Sequence, residues 1–285
     1  MTVAVEIALD PAPMLASFAA HAVPGVETVD LAAGTVRRSV RLASGPAIVE
    51  ARLSSDRVDV RVVDGTSGRA ELETLASRWF GLADDIHAVA DRFGGDPVLG
   101  PLVRARPHLR IPGHPDGFEA AVQTVLGQQV SLAAARTFTG RFAAAYGSTV
   151  PGTDGAVTLF PQPQDVVDQS AEQVQAAVRI MSARARTLVG LARACAEGLE
   201  LAPGVDPVDA RARLLALPGI GPWTVEYLAL RVLGDRDALP AGDLVLRRAL
   251  DVADARGVSS ATDGWSPLRA FAAQHLWTAK AYAVG

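Results

Sequence analysis

The chain has 285 residues, 49% of them hydrophobic, which is enough for two domains or one large one around a packed core, and no segment is polar enough to read as disordered. Its formal net charge of −4 argues against a protein that coats nucleic acid by charge alone, while leaving room for one that uses backbone amides and local arginines. The single cysteine, Cys195, excludes an internal disulfide and any cysteine-ligated cluster.

The elements follow in chain order. A helical pattern around 13–22 precedes a meander of strands, Thr35–Leu42, Ala47–Leu53 and Val58–Val63. In these strands apolar residues alternate with charged ones, and Ser44-Gly-Pro46 and Ser54-Ser-Asp56 separate them. A second helical pattern covers 69–92. The expectation is an α+β domain over residues 1–88, an antiparallel sheet with flanking helices. A proline- and glycine-rich connector spans 104–116, and the rest is helical. Helices are expected at about 117–129, 131–146, 164–178, 182–198, 207–216, 222–233, 243–254 and 266–282, with loops at 147–155 and 203–207. Cys195, in Leu191-Ala-Arg-Ala-Cys-Ala, reads as a small core residue. No apolar run is long enough to span a bilayer and the N-terminus lacks a charged-then-apolar leader, so a cytoplasmic protein is expected.

Within the helical part, Leu217-Pro-Gly-Ile-Gly-Pro-Trp-Thr224 is a tight turn between two helical patterns. Gly219 and Gly221 let the backbone turn its amides outward at the start of the second helix, a ready anion site for which a phosphodiester is the obvious ligand. Asp243 follows Pro240-Ala-Gly242 and opens an apolar run, the pattern of a helix N-cap, which fixes a carboxylate in direction. Trp223 and Tyr227 lie one helical turn apart in a chain with only 5% aromatics, consistent with either core packing or a stacking surface. Leu126-Gly-Gln-Gln-Val-Ser131 reads as a helix–turn–helix junction with polar capping. No His, Cys or carboxylate cluster has metal spacing.

The Leu217–Gly221 turn followed by Thr224 resembles the helix-hairpin-helix element of the DNA glycosylase superfamily. Phe118–Ser131, Arg110–Gly113, His275-Leu-Trp277 and the N-terminal run from Met14-Leu15 to Val26–Val29 are similar, in order and over nearly the whole chain, to bacterial 3-methyladenine DNA glycosylases II. The resemblance implies an all-α core of two lobes. One covers 118–235 with the hairpin and a wedge turn; the other combines 89–117 with 236–285 and carries the catalytic aspartate, Asp243. The base pocket lies in the cleft between them, walled by Trp223, Tyr227 and Trp277, whose electron-rich faces suit a base made cationic by alkylation. DNA contacts fall to Gln128, Gln129, Gly219, Gly221, Thr224 and Arg247. Gln129 stands in the wedge turn where some relatives have leucine.

Relatives that also cut the backbone place a lysine at the position of Trp223. Lys280 is the only lysine here, so the resemblance implies a monofunctional enzyme that hydrolyses the N-glycosidic bond of 3-methyladenine, 7-methylguanine and similar lesions. No cofactor is required and no iron–sulfur cluster is expected, although the backbone carbonyls of Leu215, Leu217 and Ile220 match the site at which such hairpins hold a monovalent cation, Na+ or K+. The partner is damaged double-stranded DNA; a monomer is expected, with no membrane association. Fusion to a methyl-transfer activator domain in a longer protein is compatible with the resemblance. His21 takes the place of a relative's basic residue near the pocket, His275 reads as locally packed, and Arg247 and Arg248 fit either phosphate contacts or a solvated helix face. Two other readings stay open: a glycosylase tuned to hypoxanthine, uracil or 8-oxoguanine, and a non-catalytic DNA-binding module.

Overall fold

The computed structural model describes residues 1–152 and 155–280. The N-terminal part is built from β1 (Thr2–Glu6), α1 (Pro11–His21), β2 (Glu27–Asp30), β3 (Thr35–Leu42), β4 (Gly45–Leu53), β5 (Arg57–Asp64) and α2 (Arg69–Phe80). The strands form a five-stranded antiparallel sheet in the order β1-β5-β4-β3-β2. Strand alternation sends Val36 and Val40, Val49 and Ala51, and Val58 and Val60 to one face. That face packs on Met14, Leu15 and Phe18 of α1 and on Leu72, Leu75, Trp79 and Phe80 of α2. Trp79 and Phe80 stack at 4.7 Å, and Phe18 closes on both at 5.9 Å.

The helical part comprises α3 (Ile86–Phe93), α4 (Leu99–Ala105), α5 (Gly117–Gly127), α6 (Leu132–Tyr146), the hairpin strands β6 (Ser148–Val150) and β7 (Val157–Leu159), α7 (Pro163–Val166), α8 (Ala171–Val178), α9 (Ser182–Ala196), α10 (Pro207–Leu215), α11 (Pro222–Leu228), α12 (Leu244–Ala249), α13 (Ala255–Thr262) and α14 (Arg269–Lys280). One apolar cluster runs through it, from Val89 and Phe93 by way of Phe118, Leu126 and Phe142 to Phe271 and Trp277. After Leu228 the helix widens into a π turn, Ala229–Leu233, closed by Gly234 at φ +75°.

Several elements differ from the sequence expectation for physical reasons. β1 and β2 are short edge strands whose pairing comes from β5 and β3, so local pattern hides them. The helix expected over 69–92 breaks at Gly81, which caps α2 at φ +62°. α4 falls between the helical pattern expected over 69–92 and the connector expected over 104–116; Gly100 and Pro101 sit in its first turn, where a missing N–H costs nothing. Ser170 forms a capping box with Gln173 and starts α8 separately from α7. Asp254 caps α13, so the helix expected over 243–254 stops at Ala249 and a new one begins. Part of the loop expected over 147–155 pairs as the β6–β7 hairpin. The end of the helix expected over 266–282 lies outside the described residues.

α14 turns Phe271, Gln274, His275, Leu276 and Trp277 inward. Burial first, then the nearby charge of Arg106, pushes the His275 imidazole down to about 4 from 6.5. Between pH 6.5 and 4 the unfolded chain therefore binds a proton that the folded chain refuses, and stability falls as pH falls, by about 1.4 kcal/mol per pH unit for such a group. His114, pushed down to about 3 mainly by burial, acts in the same direction. Glu27, raised to about 7 from 4.5 mainly by burial, opposes them, because its folded form holds the extra proton between those values. His275→Gln should flatten the acid limb of a Tm-against-pH curve between pH 6.5 and 4.5. An unchanged slope would remove His275 as a contributor.

Candidate active site

The hairpin between α10 and α11 is fixed by Gly219. Its φ is +90°, and a Cβ there would come 2.1 Å from Thr187 Oγ1, so no other residue fits. The Thr187 hydroxyl donates to the Pro218 carbonyl at 2.9 Å and holds the turn against α9. Gly221 caps α11 with Pro222 in its first turn. Neither the Gly219 nor the Gly221 N–H meets an acceptor among the described residues, which leaves both amides available to an anion.

Gln128 ties this hairpin to the turn between α5 and α6. Its Nε2 donates to the Gly219 carbonyl and to Thr224 Oγ1, both at 3.1 Å, while Arg184 Nη2 donates to its backbone carbonyl at 2.6 Å. The Gln128 side chain is thus a strut between turn and hairpin. Thr224 lies inside that joint, 3% exposed. Gln129 is the exposed member of the pair, held at φ +53°, a left-handed conformation uncommon outside glycine.

Asp243 caps α12, its Oδ1 accepting from the N–H groups of Val245 and Leu246 at 2.9 and 3.0 Å. The same oxygen accepts from Trp277 Nε1 at 3.0 Å, and Oδ2 accepts from Trp223 Nε1 at 3.2 Å. Backbone and indole donors together fix the carboxylate in one orientation. Trp223 and Tyr227 stack at 5.1 Å with planes 14° apart, and Trp277 leans on Tyr227 at 6.0 Å. The structure therefore brings Asp243 and the three aromatic residues into one constellation, and it shows the indole edges engaged as well as their faces.

These residues open on a cavity of about 270 Å³, the size for one base rather than an extended ligand. Its opposite wall is formed by Phe18, His21, Glu27, Arg38 and Trp79 of the N-terminal part, with Gln123 and Thr124 of α5 between. Sequence reasoning missed this wall except for His21. Sheet and helices meet there only through the tertiary fold; the one local signal was Arg38, charged at a position where β3 alternation calls for an apolar side chain.

Residues 1–116 match the family model "AlkA N-terminal domain", and residues 122–256 match "HhH-GPD superfamily base excision DNA repair protein". The chain is 31% identical over 268 residues to the protein named DNA-3-methyladenine glycosylase 2 of Escherichia coli, covering 93% of this chain and 92% of that one. It belongs to the HhH-GPD superfamily of base excision DNA repair proteins. It is also 41% identical over 267 residues to a Mycobacterium tuberculosis protein named as a probable bifunctional transcriptional activator/DNA repair enzyme AlkA. That match covers 91% of this chain, which spans about half (53%) of the relative's length. The solved structure of a 3-methyladenine DNA-glycosylase from Archaeoglobus fulgidus shares the fold, with a TM-score of 0.82, 19% identity and coverage of 99% of this chain and 100% of that one.

The remaining candidates of this HhH-GPD chain are Arg247, Arg248, His21 and the hairpin carbonyls. Arg247 is half-buried, its Nη2 donating to the Ala253 carbonyl while Nε has no hydrogen-bond partner among the described residues, whereas Arg248 is exposed. His21 donates from Nδ1 to the Ser17 carbonyl at 2.8 Å, and burial lowers its pKa. At the hairpin, the Leu217 carbonyl accepts from the Ile220 N–H at 3.0 Å, and those of Leu215 and Ile220 accept no hydrogen bond from a described residue. Uncharged oxygens of this kind fit a monovalent cation better than a divalent one, which favours carboxylates.

Proposed function

We propose that the chain is a monofunctional DNA glycosylase that flips alkylated purines, 3-methyladenine and 7-methylguanine among them, out of duplex DNA and hydrolyses their N-glycosidic bond. The observation that carries the reading is Asp243, held by Trp223 and Trp277 at a base-sized aromatic cavity beside the hairpin. The Gly219 and Gly221 amides hold a backbone phosphate. Gln129 enters the space the base vacates, and the flipped base lies against the faces of Trp223, Tyr227 and Trp277.

As the C1′–N bond breaks, its electron pair leaves with the base and positive charge grows on the sugar. The Asp243 carboxylate stabilises that charge and takes a proton from the water that attacks C1′. Trp223 stands where a Schiff-base lysine would have to be, and Lys280 lies exposed at the end of α14, which supports an intact abasic site as product. A Na+ or K+ ion on the Leu215, Leu217 and Ile220 carbonyls would brace the hairpin against phosphate charge. The length and name of the M. tuberculosis relative support a place for this chain beside an activator domain. No described helix is long and apolar enough to cross a membrane.

The test is to incubate the protein with methylated duplex DNA, chromatograph the released bases, and treat a parallel reaction with borohydride. Free 3-methyladenine, an alkali-labile abasic product and no trapped covalent complex are expected. DNA binding without base release would instead favour a non-catalytic module, and a trapped complex would overturn the monofunctional mechanism.

A further inference from the structure

Arg38 interrupts the inward face of β3. It shares the parity of Val36 and Val40, and it is 3% exposed, its guanidinium carbon 5.8 Å from the Trp79 ring. Nη1 donates to Glu27 Oε2 at 2.8 Å and Nη2 donates to Glu119 Oε2 at 2.5 Å, so one cation is shared by two buried carboxylates. Glu119 is satisfied on both oxygens, since the Gln123 amide reaches its Oε1 at 3.1 Å. Glu27 is not. Its Oε1 receives no hydrogen bond from the described residues, and Glu27 lines the same cavity as Asp243, whereas Glu119 does not. A carboxylate kept out of bulk water with an uncompleted oxygen is costly, and here only the contents of the cavity can complete it.

Resting on the glycosylase reading above, we infer that Glu27 is a specificity-determining residue of the base pocket, presenting negative charge and a hydrogen-bond acceptor to a cationic, amino-bearing alkylpurine. 3-Methyladenine in DNA carries a full positive charge and an exocyclic amino group; hypoxanthine is neutral and lacks that amino group. Stacking alone distinguishes the two weakly, and a buried carboxylate distinguishes them by charge. Burial raises the Glu27 carboxyl to about 7 against the pull of Arg38, so its ionisation falls within a measurable range. The charged and titratable groups around it are Arg38 from β3, Glu119 from α5, His114 and Asp116 from the connector, His21 from α1 and Arg231 from the π turn. The two histidines are held neutral, with pKa values below the usual imidazole range. The change of charge on Glu27 thus falls between pH 6 and 8.

The experiment measures kcat/KM for 3-methyladenine and for hypoxanthine from pH 6 to 8 in the unmodified protein, Glu27→Gln and Glu119→Gln, with thermal unfolding of each. The preference for 3-methyladenine should rise with pH in the unmodified protein. In Glu27→Gln it should drop about tenfold and lose that rise, as expected for one charge-assisted hydrogen bond. Glu119→Gln breaks the same ion cluster outside the cavity; it should lower the Tm and leave the preference in place. A preference equally reduced in Glu119→Gln, or unchanged in Glu27→Gln, would overturn the assignment. So would a flat pH profile of the unmodified protein, which needs no variant to fold. A protein that releases neither base would overturn the glycosylase reading itself, whereas release of both at a pH-independent ratio would overturn only the role of Glu27.

Discussion

Asp243→Asn is expected to slow release of methylated bases on the order of 10³-fold while leaving the protein folded and able to bind abasic-site DNA. Asparagine is as good an N-cap as aspartate, so the hydrogen bonds from Val245 and Leu246 to the side-chain oxygen survive and α12 keeps its start. What disappears is the negative charge that the proposed mechanism sets against C1′. The new amide also sets an N–H donor against a tryptophan N–H donor, because the Asp243 carboxylate accepts from Trp223 on one oxygen and Trp277 on the other. Single-turnover base release beside a thermal melt separates the two effects. Release at the unmodified rate would remove Asp243 from the chemistry, and a collapsed melt would show a capping role alone.

What could be read from the chain alone divides along lines of range. The Asp243 cap is a local pattern, and alternation in β3 to β5 is a period that short segments display on their own. Trp277 donates to Asp243 across 34 residues of chain, and nothing near either residue announces the bond. The resemblance supplied their neighbourhood but not the direction of the indole edges. Gln128 shows the same limit: its polarity suggests a contact, yet its side chain reaches Gly219, 91 residues on, so it braces the hairpin turn from within. The N-terminal wall of the cavity was hidden more thoroughly. Phe18 and Trp79 pack in the N-terminal core and also line the cavity with Gln123 and Thr124 of α5, a neighbourhood that only the tertiary fold creates. Arg38 was the visible exception, a charge on the buried parity of a strand, and such a violation of pattern marks a place where the fold sustains an ionic cost.

The same geometry predicts what the tryptophans contribute beyond stacking. Trp277→Phe keeps an aromatic face beside Tyr227 and removes the N–H that Asp243 Oδ1 accepts at 3.0 Å. A hydrogen bond to a charged group contributes about 1.5–3 kcal/mol, so kcat should fall roughly 10- to 100-fold, with KM changed far less. Trp223→Phe removes the longer bond, 3.2 Å, from a less buried ring and should cost less. The double variant leaves Asp243 to its backbone donors alone. Its loss should depart from the product of the single losses, because either indole by itself still restricts rotation of the carboxylate. If the tryptophans acted only as stacking walls, the phenylalanine variants would keep kcat and raise KM, since the smaller ring offers the base a weaker face. The kcat-against-KM split therefore decides between an aromatic box that merely holds a base and one that also aims the carboxylate at the sugar.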